Sequence, residues 1–402
     1  MMASASRMTR YDAIVIGLGA FGSAAAYHLA KAGSRVLAID RDFPPHKLGS
    51  SHGETRVTRS AIGEGAEYVQ LALRSNALWR ELEAQSGERL FVPCGCLLIS
   101  GRPDAPQTHG VNDFFDRTRA AAEQHAIALH ELATGSAIRA RYPQFAVIEA
   151  EKALLDPTGG LLFPAQCISA QLALAETCGA TLRKGRAVTS YREERDGVAV
   201  STDDGEVHVA DRLLITAGAW APRLIGGALQ AHAKVTRQVV HWFEITGEPA
   251  RFDPAVCPAF IWQVDRPSVL YGFPHHGGAA TGVKFGHEED HGAVDPDTVS
   301  REVSQAEVDY TYRTYVRPFF PDLGPRSLRN EVCLYTRVEK ARFVIDWLPR
   351  SARILFASPC SGHGFKHSAA VGEALAETLM TGAAVRVDLS YFSLDALQQF
   401  VA

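Results

Sequence analysis

A glycine-rich turn near the amino terminus constrains the fold of this chain more than any other feature. Residues 12–16 form a short apolar, β-branched run, the turn from Gly17 to Gly22 follows, and residues 23–32 have the small-residue pattern of a helix. A second run, residues 35–39, predicts a strand that ends at Asp40. This order of strand, turn, helix and strand predicts a Rossmann-like unit, which places the chain in the α/β class.

The three glycines of the turn indicate a nucleotide site. At Gly17, Gly19 and Gly22 the missing side chains let the backbone approach a pyrophosphate at the amino terminus of the helix. Asp40 is placed to bond ribose hydroxyls, and its charge disfavours the extra phosphate of NADP, although Arg41 beside it weakens that inference. The turn by itself does not choose between NAD and FAD.

Size and charge limit the classes of protein to which this chain can belong. Its 402 residues, 46% hydrophobic and 21% charged, suffice for two globular domains. A formal charge of -4, from 41 Lys plus Arg against 45 Asp plus Glu, gives no general attraction to nucleic acid or anionic lipid. Residues 1–10 predict a flexible tail, and no run approaches the roughly 20 apolar residues that cross a bilayer. We therefore expect neither a nucleic-acid nor a membrane partner.

Cysteine and histidine usage predicts reduced thiols and no metal site. Seven cysteines form an odd, scattered set, which favours a cytoplasmic location. Cys94 and Cys96 lack a second pair and are interpreted as strand residues rather than zinc ligands. His275, His276 and the run His287, Glu288, Glu289, Asp290 and His291 are interpreted as a solvated loop, because consecutive residues rarely converge on one ion.

The rest of the chain divides into helical and strand-rich parts. Helices are predicted at residues 68–86, 112–126 and 168–178, and short strands at 198–201, 207–210 and 212–215, with a hairpin at 203–205. Aromatic and β-branched residues between 236 and 284 predict an antiparallel sheet in a second domain. Near the end, a strand at 353–357, a glycine turn at 361–365 and a helix at 369–381 repeat the first plan.

Several blocks of sequence carry a family resemblance. They are Phe43 to His46, Gly49 to Arg59, Tyr68 to Ser75, Gly218 to Trp220, Arg237 to Val240, Tyr271 to Pro274, Cys333 to Thr336 and Ser361 to Lys366. Together, and in this order, they resemble the family of monomeric sarcosine oxidase and N-methyltryptophan oxidase over almost the whole chain.

The resemblance implies a two-domain fold of the D-amino-acid-oxidase type. A Rossmann-like FAD-binding domain is expected over residues 11–93, 151–230 and 332–392, and a substrate domain with an antiparallel sheet over residues 94–150 and 231–331. The implied activity is oxidation of secondary amino acids, N-methyl or cyclic, by hydride transfer to FAD. Oxygen is then reduced to hydrogen peroxide and the imine product is hydrolysed by water. A monomer or weak oligomer is expected.

Two other functions stay open at this point. One is an FAD-dependent amine dehydrogenase that passes electrons to a quinone or a carrier protein. The other is a flavin-holding scaffold without turnover, although Lys284, Arg56 and Lys366 together speak against it.

The cofactor contacts follow from the matched blocks. In the family the flavin is linked through its 8α-methyl group to a cysteine, and Cys333 matches that position; by itself it would be interpreted as a buried core thiol. The other expected cofactor residues are Gly17, Gly19, Gly22, Asp40, Arg41, Ser50, Ser51, His52, Arg56, Val188, Ala217, Gly218, Trp220, Gly362, Gly364, Phe365 and Lys366.

Amino-acid oxidation needs an anchored carboxylate, a neutral amine and stabilisation of the negative charge on the reduced flavin. The resemblance places Arg56 beside flavin and carboxylate, with Arg59 as the second choice; on a helix the two arginines would share a face. From spacing alone both would be surface residues. Lys366 matches a second carboxylate anchor, and Lys284 matches the lysine that helps oxygen accept electrons.

The remaining matches concern the amine pocket and its specificity. His52 matches a histidine that tunes the cofactor, and Tyr271 and Tyr335 match residues that line the amine pocket. The chain departs from the family at Glu288, where relatives carry a histidine, and at Ile62, which aligns with a pocket tyrosine and predicts an apolar wall. The segment between Tyr271 and Lys284 is two residues longer than in sarcosine oxidase, which leaves the choice of substrate open.

Overall fold

Strand pairing organises the protein around three sheets. The computed structural model describes residues 10–102, 105 and 107–401, and within them the strands form two eight-stranded sheets and one three-stranded sheet. In chain order the strands are β1 (Arg10–Ile16), β2 (Val36–Asp40), β3 (Arg56–Thr58), β4 (Phe91–Val92), β5 (Cys96–Ser100), β6 (His130–Leu132), β7 (Lys152–Asp156), β8 (Gly160–Leu162), β9 (Thr181–Lys184), β10 (Val188–Glu194), β11 (Gly197–Thr202), β12 (Val207–Ile215), β13 (Lys234–Ile245), β14 (Ala259–Trp262), β15 (Leu270–Phe273), β16 (Val283–His287), β17 (Leu323–Arg337), β18 (Val344–Trp347) and β19 (Ile354–Ser358).

The helices fall where apolar periodicity predicts them. In chain order they are α1 (Ala20–Lys31), α2 (Glu67–Ser86), α3 (Phe114–Gln124), α4 (Gly135–Arg141), α5 (Pro164–Thr177), α6 (Ala221–Ile225), α7 (Gly227–His232), α8 (Gln305–Thr311), α9 (Ser368–Thr381) and α10 (Leu394–Val401). The predicted helices at 68–86, 112–126, 168–178 and 369–381 correspond to α2, α3, α5 and α9. Helix α1 begins at Ala20, within the glycine turn, because that turn is itself the start of the helix.

The first sheet carries the glycine turn. Strands β9, β2, β1, β12 and β19 run parallel, and the hairpin of β10 and β11 and the strand β18 pair antiparallel at its edges. Its central strands are buried on both faces, as parallel strands covered by helices must be. Helices α1 and α9 cross closely, because a Cβ at Gly372 would lie 2.2 Å from the Cβ of Ala24. The predicted α/β fold with a Rossmann-like unit is thus confirmed.

The second sheet has the order β17, β13, β16, β15, β14, β5, β7, β6 and is mostly antiparallel. An aromatic core fills one of its faces, and Phe260, Phe285 and Phe320 in that core are at most 1% exposed. Strand β13 pairs with β17 on one side and β16 on the other, so Gln238 lies opposite Cys333 and Trp242 opposite Lys284. Two of the predicted site residues therefore lie on strands that flank β13.

Several boundaries differ from the sequence prediction. The strands predicted at 207–210 and 212–215 are one strand, β12, and Arg10 begins β1 rather than ending a tail; residues 1–9 lie outside the described residues. Strand β7 pairs with β5 in the second sheet, although residues 151–230 were assigned to the FAD-binding domain, and β17 crosses the boundary at 332. The domain division stays a prediction. In the described part of the chain, no helix is long and apolar enough to cross a membrane.

Candidate active site

One cavity of about 880 Å³ runs from the glycine turn to the second sheet. It is lined by nineteen of the residues expected at the site, namely Gly17, Gly19, Asp40, Arg41, Ser50, Ser51, Arg56, Val188, Ala217, Gly218, Trp220, Tyr271, Lys284, Cys333, Tyr335, Gly362, Gly364, Phe365 and Lys366. Two expected residues, Gly22 and His52, do not line it. The fold thus brings residues separated by more than 300 positions to one cavity.

The glycine turn owes its shape to two close approaches. A Cβ at Gly17 would lie 2.6 Å from the carbonyl oxygen of Thr216, and Gly17 has a φ of +88°. A Cβ at Gly22 would lie 1.8 Å from the Gly17 carbonyl oxygen, so Gly22 packs α1 against β1 instead of facing the cavity. At Gly19 the nearest atom to a Cβ would be the Ser51 hydroxyl at 3.8 Å. The turn is therefore open where a pyrophosphate would approach.

Asp40 closes the turn at the end of β2. Its carboxylate accepts hydrogen bonds from the backbone N–H of Leu18 at 2.7 Å and of Asp42 at 2.9 Å. Within the described residues, Asp40, Asp42 and His46 are the acids and histidine whose donor atoms lie within 4.8 Å of one another. Because the oxygens of Asp40 already hold the turn together, we assign no metal to this group.

An acid from the loop after β16 reaches the nucleotide end of the cavity. Asp297 accepts hydrogen bonds from Arg41 Nη1 at 2.8 Å and from Trp220 Nε1 at 2.7 Å, and it also pairs with Arg223. The Arg41 guanidinium lies 4.9 Å from the centre of the Trp220 ring. Asp297 therefore ties Arg41 and Trp220 into one wall of the cavity.

Cys333 lies on β17 in an electropositive environment. Its Sγ is 3.6 Å from Nη2 of Arg56, and its side chain is buried. Burial raises the pKa of Cys333, but the Arg56 charge and the hydrogen bond with His52 outweigh burial and lower the pKa to about 6. In contrast, burial raises the pKa of Cys96 and of Cys257 to about 12. The positively charged surroundings therefore favour the thiolate form of Cys333, in contrast to Cys96 and Cys257.

His52 stands behind Cys333 rather than in the cavity. Its Nδ1 is 3.1 Å from Oε2 of Glu331, and Glu331 also accepts a hydrogen bond from Lys47 Nζ at 2.9 Å. Burial raises the pKa of Glu331, but the hydrogen bonds of His52 and Lys47 lower it to about 2. His52 therefore acts on the cavity through Cys333.

Lys284 occupies a buried position on β16. Its ammonium donates hydrogen bonds to the carbonyl oxygens of Gly53 at 2.6 Å and Thr55 at 2.7 Å, and it lies 4.5 Å from the centre of the Phe273 ring. Burial, followed by the charge of Arg56, holds the pKa of Lys284 well below its usual range. The side chain is 2% exposed, so it is not a strand-end surface lysine.

The two arginines differ in position from the sequence-based expectation. Arg56 begins β3, so the segment is a strand and not a helix, and Arg56 donates to the carbonyl oxygen of Ser50 at 2.8 Å. Arg59 is 2% exposed and its Nη2 donates to Oε2 of Glu64 at 2.6 Å. Both arginines line the cavity, which overturns a surface position for either. Arg59, rather than Arg56, is the arginine that shares an acid with Lys366.

Lys366 follows the glycine turn of Gly362 and Gly364, and its side chain points inward. Its Nζ donates to Oε1 of Glu64 at 3.2 Å and to the carbonyl oxygen of His363 at 2.9 Å. Burial lowers the pKa of Lys366 to about 8 although the charge of Glu64 raises it. Burial raises the pKa of Glu64, but the charges of Arg59 and Lys366 outweigh it and leave the pKa well below its usual range. Glu64 is thus an anion between two cations.

The wall opposite the glycine turn is partly aromatic and partly charged. The hydroxyls of Tyr271 and Tyr335 lie 3.3 Å apart, and Glu288 lines the same cavity. Ile62 does not line it but packs in the core of the first sheet, so the predicted apolar wall at Ile62 is wrong. Apolar lining comes instead from Val57, Ile261, Val269 and Phe273.

The residues interpreted as a solvated loop are only partly exposed: Asp290 and His291 are exposed, but the others are buried or half-buried. His275 and His287 are at most 9% exposed, and His287 ends β16 and stacks on Tyr315 with ring centres 4.5 Å apart. The side chains of Glu288 and Glu289 are only 13% and 12% exposed. The prediction fails for His287 because that residue ends β16 within the second sheet, and it fails for Glu288 and Glu289 because their side chains are held by His109 and Tyr310. Cys94, interpreted as a strand residue, lies between β4 and β5, while Cys96 does begin β5.

Sequence reasoning missed the acids and one histidine of the site. Glu64 stands between Gly63 and Gly65, five residues after Arg59, and an acid between two glycines near a candidate arginine was a usable signal. His109 also lines the cavity, but no periodic pattern around it distinguishes it from a loop residue. Glu331 and Asp297 carry no local signal either, because their partners lie on distant segments.

The cavity fits the cofactor that the resemblance implies. The open turn at Gly19 and the carboxylate of Asp40 suit a dinucleotide, and the Cys333 thiolate suits a covalent link to an electrophilic methyl group. Arg56, Lys284 and Lys366 line the same cavity. They are placed for the charge that a reduced flavin carries.

Comparison with known proteins agrees with this geometry. Residues 12–378 match the model of the DAO family, FAD dependent oxidoreductase. Monomeric sarcosine oxidase of Bacillus sp. (strain B-0618) is 36% identical over 389 residues, which cover 96% of either chain. N-methyl-L-tryptophan oxidase of Yersinia pestis (strain Pestoides F) is 33% identical over 385 residues, 96% of this chain and 98% of that one.

Solved structures show the same fold at lower identity. NikD, an unusual amino acid oxidase essential for nikkomycin biosynthesis, superposes with a TM-score of 0.79 at 23% identity, covering 96% of this chain and 98% of its own. Glycine oxidase from Geobacillus kaustophilus gives a TM-score of 0.73 at 21% identity, over 96% and 98% of the two chains. The chain therefore belongs to the DAO family of FAD-dependent oxidoreductases.

Proposed function

We propose that this protein is an FAD-dependent oxidase of N-methyl or other secondary amino acids. It transfers a hydride from the substrate to FAD and the electrons to oxygen, and it releases hydrogen peroxide and an imine that water hydrolyses. One observation carries the proposal. A single cavity is lined by the glycine turn, by the buried pair Arg59 and Lys366, and by Cys333 and Lys284.

Each part of the cavity has a proposed task toward the cofactor. Gly17, Gly19 and Asp40 would hold the dinucleotide, and the Cys333 thiolate would form the covalent link. Forming this link oxidises the 8α-methyl carbon by two electrons with loss of one methyl proton, and the electrons would pass by way of the flavin to oxygen. Bound FAD supplies the hydride acceptor that protein side chains lack. Arg56, held by the Ser50 carbonyl 2.8 Å away, lowers the pKa of the thiol and stays beside it.

The substrate end is proposed to anchor a carboxylate. Arg59 and Lys366 present two cations that share one acid, Glu64, so the pair has an excess of positive charge for a second carboxylate. The phenols of Tyr271 and Tyr335 border the space for the amine. Among the described residues, Lys284 donates to carbonyl oxygens and not to an acid. Its proposed task is to help oxygen accept electrons.

The setting of the protein is also proposed. All seven cysteines are free thiols, which supports a reducing compartment such as the cytoplasm. The division into an FAD-binding and a substrate domain is supported by the two large sheets, with β7 moved to the substrate domain. A monomer or weak oligomer stays a prediction.

The test follows the flavin colour. Purified protein is mixed without oxygen with sarcosine, N-methyltryptophan, pipecolate and fructosyl amino acids, and then exposed to air. We expect bleaching with at least one secondary amino acid, recovery of the colour in air and one peroxide per turnover. No bleaching with any amine contradicts the proposal, and bleaching with very slow recovery in air identifies a dehydrogenase. Flavin that stays with acid-precipitated protein supports the link at Cys333, whereas free FAD in the supernatant contradicts it.

A further inference from the structure

A chain of alternating charges crosses the substrate end of the cavity. Glu64, already paired with Arg59, lies 3.3 Å from Nδ1 of His109, and Nε2 of His109 lies 3.0 Å from Oε1 of Glu288. Oε2 of Glu288 lies 3.6 Å from Arg337. Because Nδ1 and Nε2 are on opposite sides of the imidazole, His109 separates Glu288 from the acid that holds the two anchoring cations.

Glu288 faces the cavity where the glycine turn of the second half passes. It directly follows β16, and its backbone N–H donates to the Ser268 hydroxyl at 2.6 Å. Its Oε1 would be 3.4 Å from a Cβ at Gly362, on the turn that leads to Lys366, and its side chain is 13% exposed. The carboxylate is thus fixed by its backbone and by His109, and it lies within reach of a ligand beside that turn.

The charge state of this pair is settled by its neighbours. Burial lowers the pKa of His109, but the charges and hydrogen bonds of Glu288 and Glu64 raise it to about 9. Burial raises the pKa of Glu288, but the charge and hydrogen bond of His109 lower it. At neutral pH the wall therefore holds a carboxylate whose charge is matched by His109 and Arg337.

A carboxylate whose negative charge is balanced by neighbouring cations interacts differently with three kinds of ligand group. It still has lone pairs for a neutral donor, because a carboxylate has about four acceptor sites and His109 and Arg337 do not fill them. A second carboxylate on the ligand meets a like charge at close range. An ammonium group on the ligand is repelled by the positive charges of His109 and Arg337, which lie behind the carboxylate.

We propose that Glu288, positioned by His109, selects substrates that carry a neutral hydrogen-bond donor, either an amide or a hydroxyl. This donor lies away from the substrate carboxylate that Arg59 and Lys366 anchor. Substrates that carry a second carboxylate are rejected. The inference rests on the proposed oxidation of N-methyl amino acids and names the substrate class within it. Glu288 touches the substrate, and His109 acts through Glu288.

The experiment compares two nearly isosteric substrates. N-methylasparagine and N-methylaspartate differ by an amide against a carboxylate, and sarcosine, without a side chain, serves as the reference. We expect kcat/KM for N-methylasparagine to exceed that for N-methylaspartate by at least about tenfold, equivalent to about 1.4 kcal/mol. N-methyllysine tests the ammonium and is expected to fall below N-methylasparagine. Where a compound is not oxidised, the inhibition constants of both compounds against sarcosine are measured and their ratio is compared instead.

Variants assign the preference to Glu288. E288Q should lower the ratio at least about tenfold, mainly through the KM of N-methylaspartate, and E288D should keep it. H109Q should lower the ratio partly, because Glu288 then loses its fixed position. E289Q is the matched control, since Glu289 is equally buried but bonds Tyr310 and does not line the cavity; it should leave the ratio unchanged.

The outcomes separate this inference from the proposed function. A wild-type ratio of one or below, or a ratio that E288Q leaves unchanged while sarcosine is still oxidised, overturns the role of Glu288. If the wild-type enzyme oxidises neither sarcosine nor any other secondary amino acid, the proposed function fails instead.

Discussion

The two buried lysines of the cavity are compensated in opposite ways. Lys284 donates to two backbone carbonyl oxygens and faces Arg56, whereas Lys366 donates to the carboxylate of Glu64. Both are at most 3% exposed, so burial lowers the pKa of each. With an acid in contact the pKa of Lys366 stays at about 8, while the pKa of Lys284 falls well below its usual range.

This difference teaches which lysine can do which task. A carboxylate ligand needs a cation that is present at neutral pH, and the Glu64 contact keeps Lys366 mostly in that form. A lysine whose pKa is lowered gives up a proton more readily than an ordinary lysine, which suits a group beside oxygen as it gains electrons. Burial is common to both sites, so the neighbouring charge decides the chemistry.

The largest expected effect comes from replacing Lys284, the lysine that donates to carbonyl oxygens instead of to an acid. In K284M, reoxidation of the reduced flavin by oxygen should slow by about 10²–10³, as expected for loss of a preorganised charge or donor. Reduction of the flavin by sarcosine should change by less than about tenfold. Stopped-flow absorbance measures the two half-reactions separately. An equal loss in both half-reactions would show that Lys284 also serves the substrate.

The opposite pattern is expected for Lys366, the lysine that donates to Glu64. K366M should lower kcat/KM for sarcosine by about 100-fold, mostly through KM, because a charge-assisted bond to the carboxylate is lost and Glu64 loses one cationic partner while it keeps Arg59 and His109. Reoxidation by oxygen should be unchanged. K366R, which keeps the charge, is the matched control and should recover part of the loss. A K366M variant with normal KM would remove Lys366 from the carboxylate site.

The pH profile measures a smaller effect on the same lysine. Lys366 binds the carboxylate only when protonated, so its contribution is present below about pH 8 and is lost as the pH rises through that value. We expect kcat/KM to fall up to tenfold per pH unit above this limb. In K366R the limb should disappear, since a guanidinium stays charged. A limb that persists in K366R belongs to another group.

Much of the fold and part of the site followed from the sequence. The turn at Gly17 and the helix α9 were predictable because glycine and small residues mark close backbone approaches locally. Arg59 was only the second choice for the carboxylate anchor, and Glu64 was missed. Their burial comes from packing between distant segments, which residue spacing cannot show. The burial of His275 and Glu288 was missed for the same reason: a polar run looks solvated until the sheet that encloses it is known.

The smallest expected effect comes from replacing Glu64, the acid that contacts Lys366. Glu64 raises the pKa of Lys366, so E64Q should shift the alkaline limb of kcat/KM to lower pH by about one unit. E331Q is the matched control, because Glu331 pairs with His52 behind Cys333 and does not line the cavity, so this variant should leave that limb in place. Near-ultraviolet circular dichroism and flavin content verify that both variants are folded. If E64Q leaves the limb in place, the protonation of Lys366 does not depend on its acid, and the contrast with Lys284 must arise from differences in desolvation and from the charge of Arg56 beside Lys284.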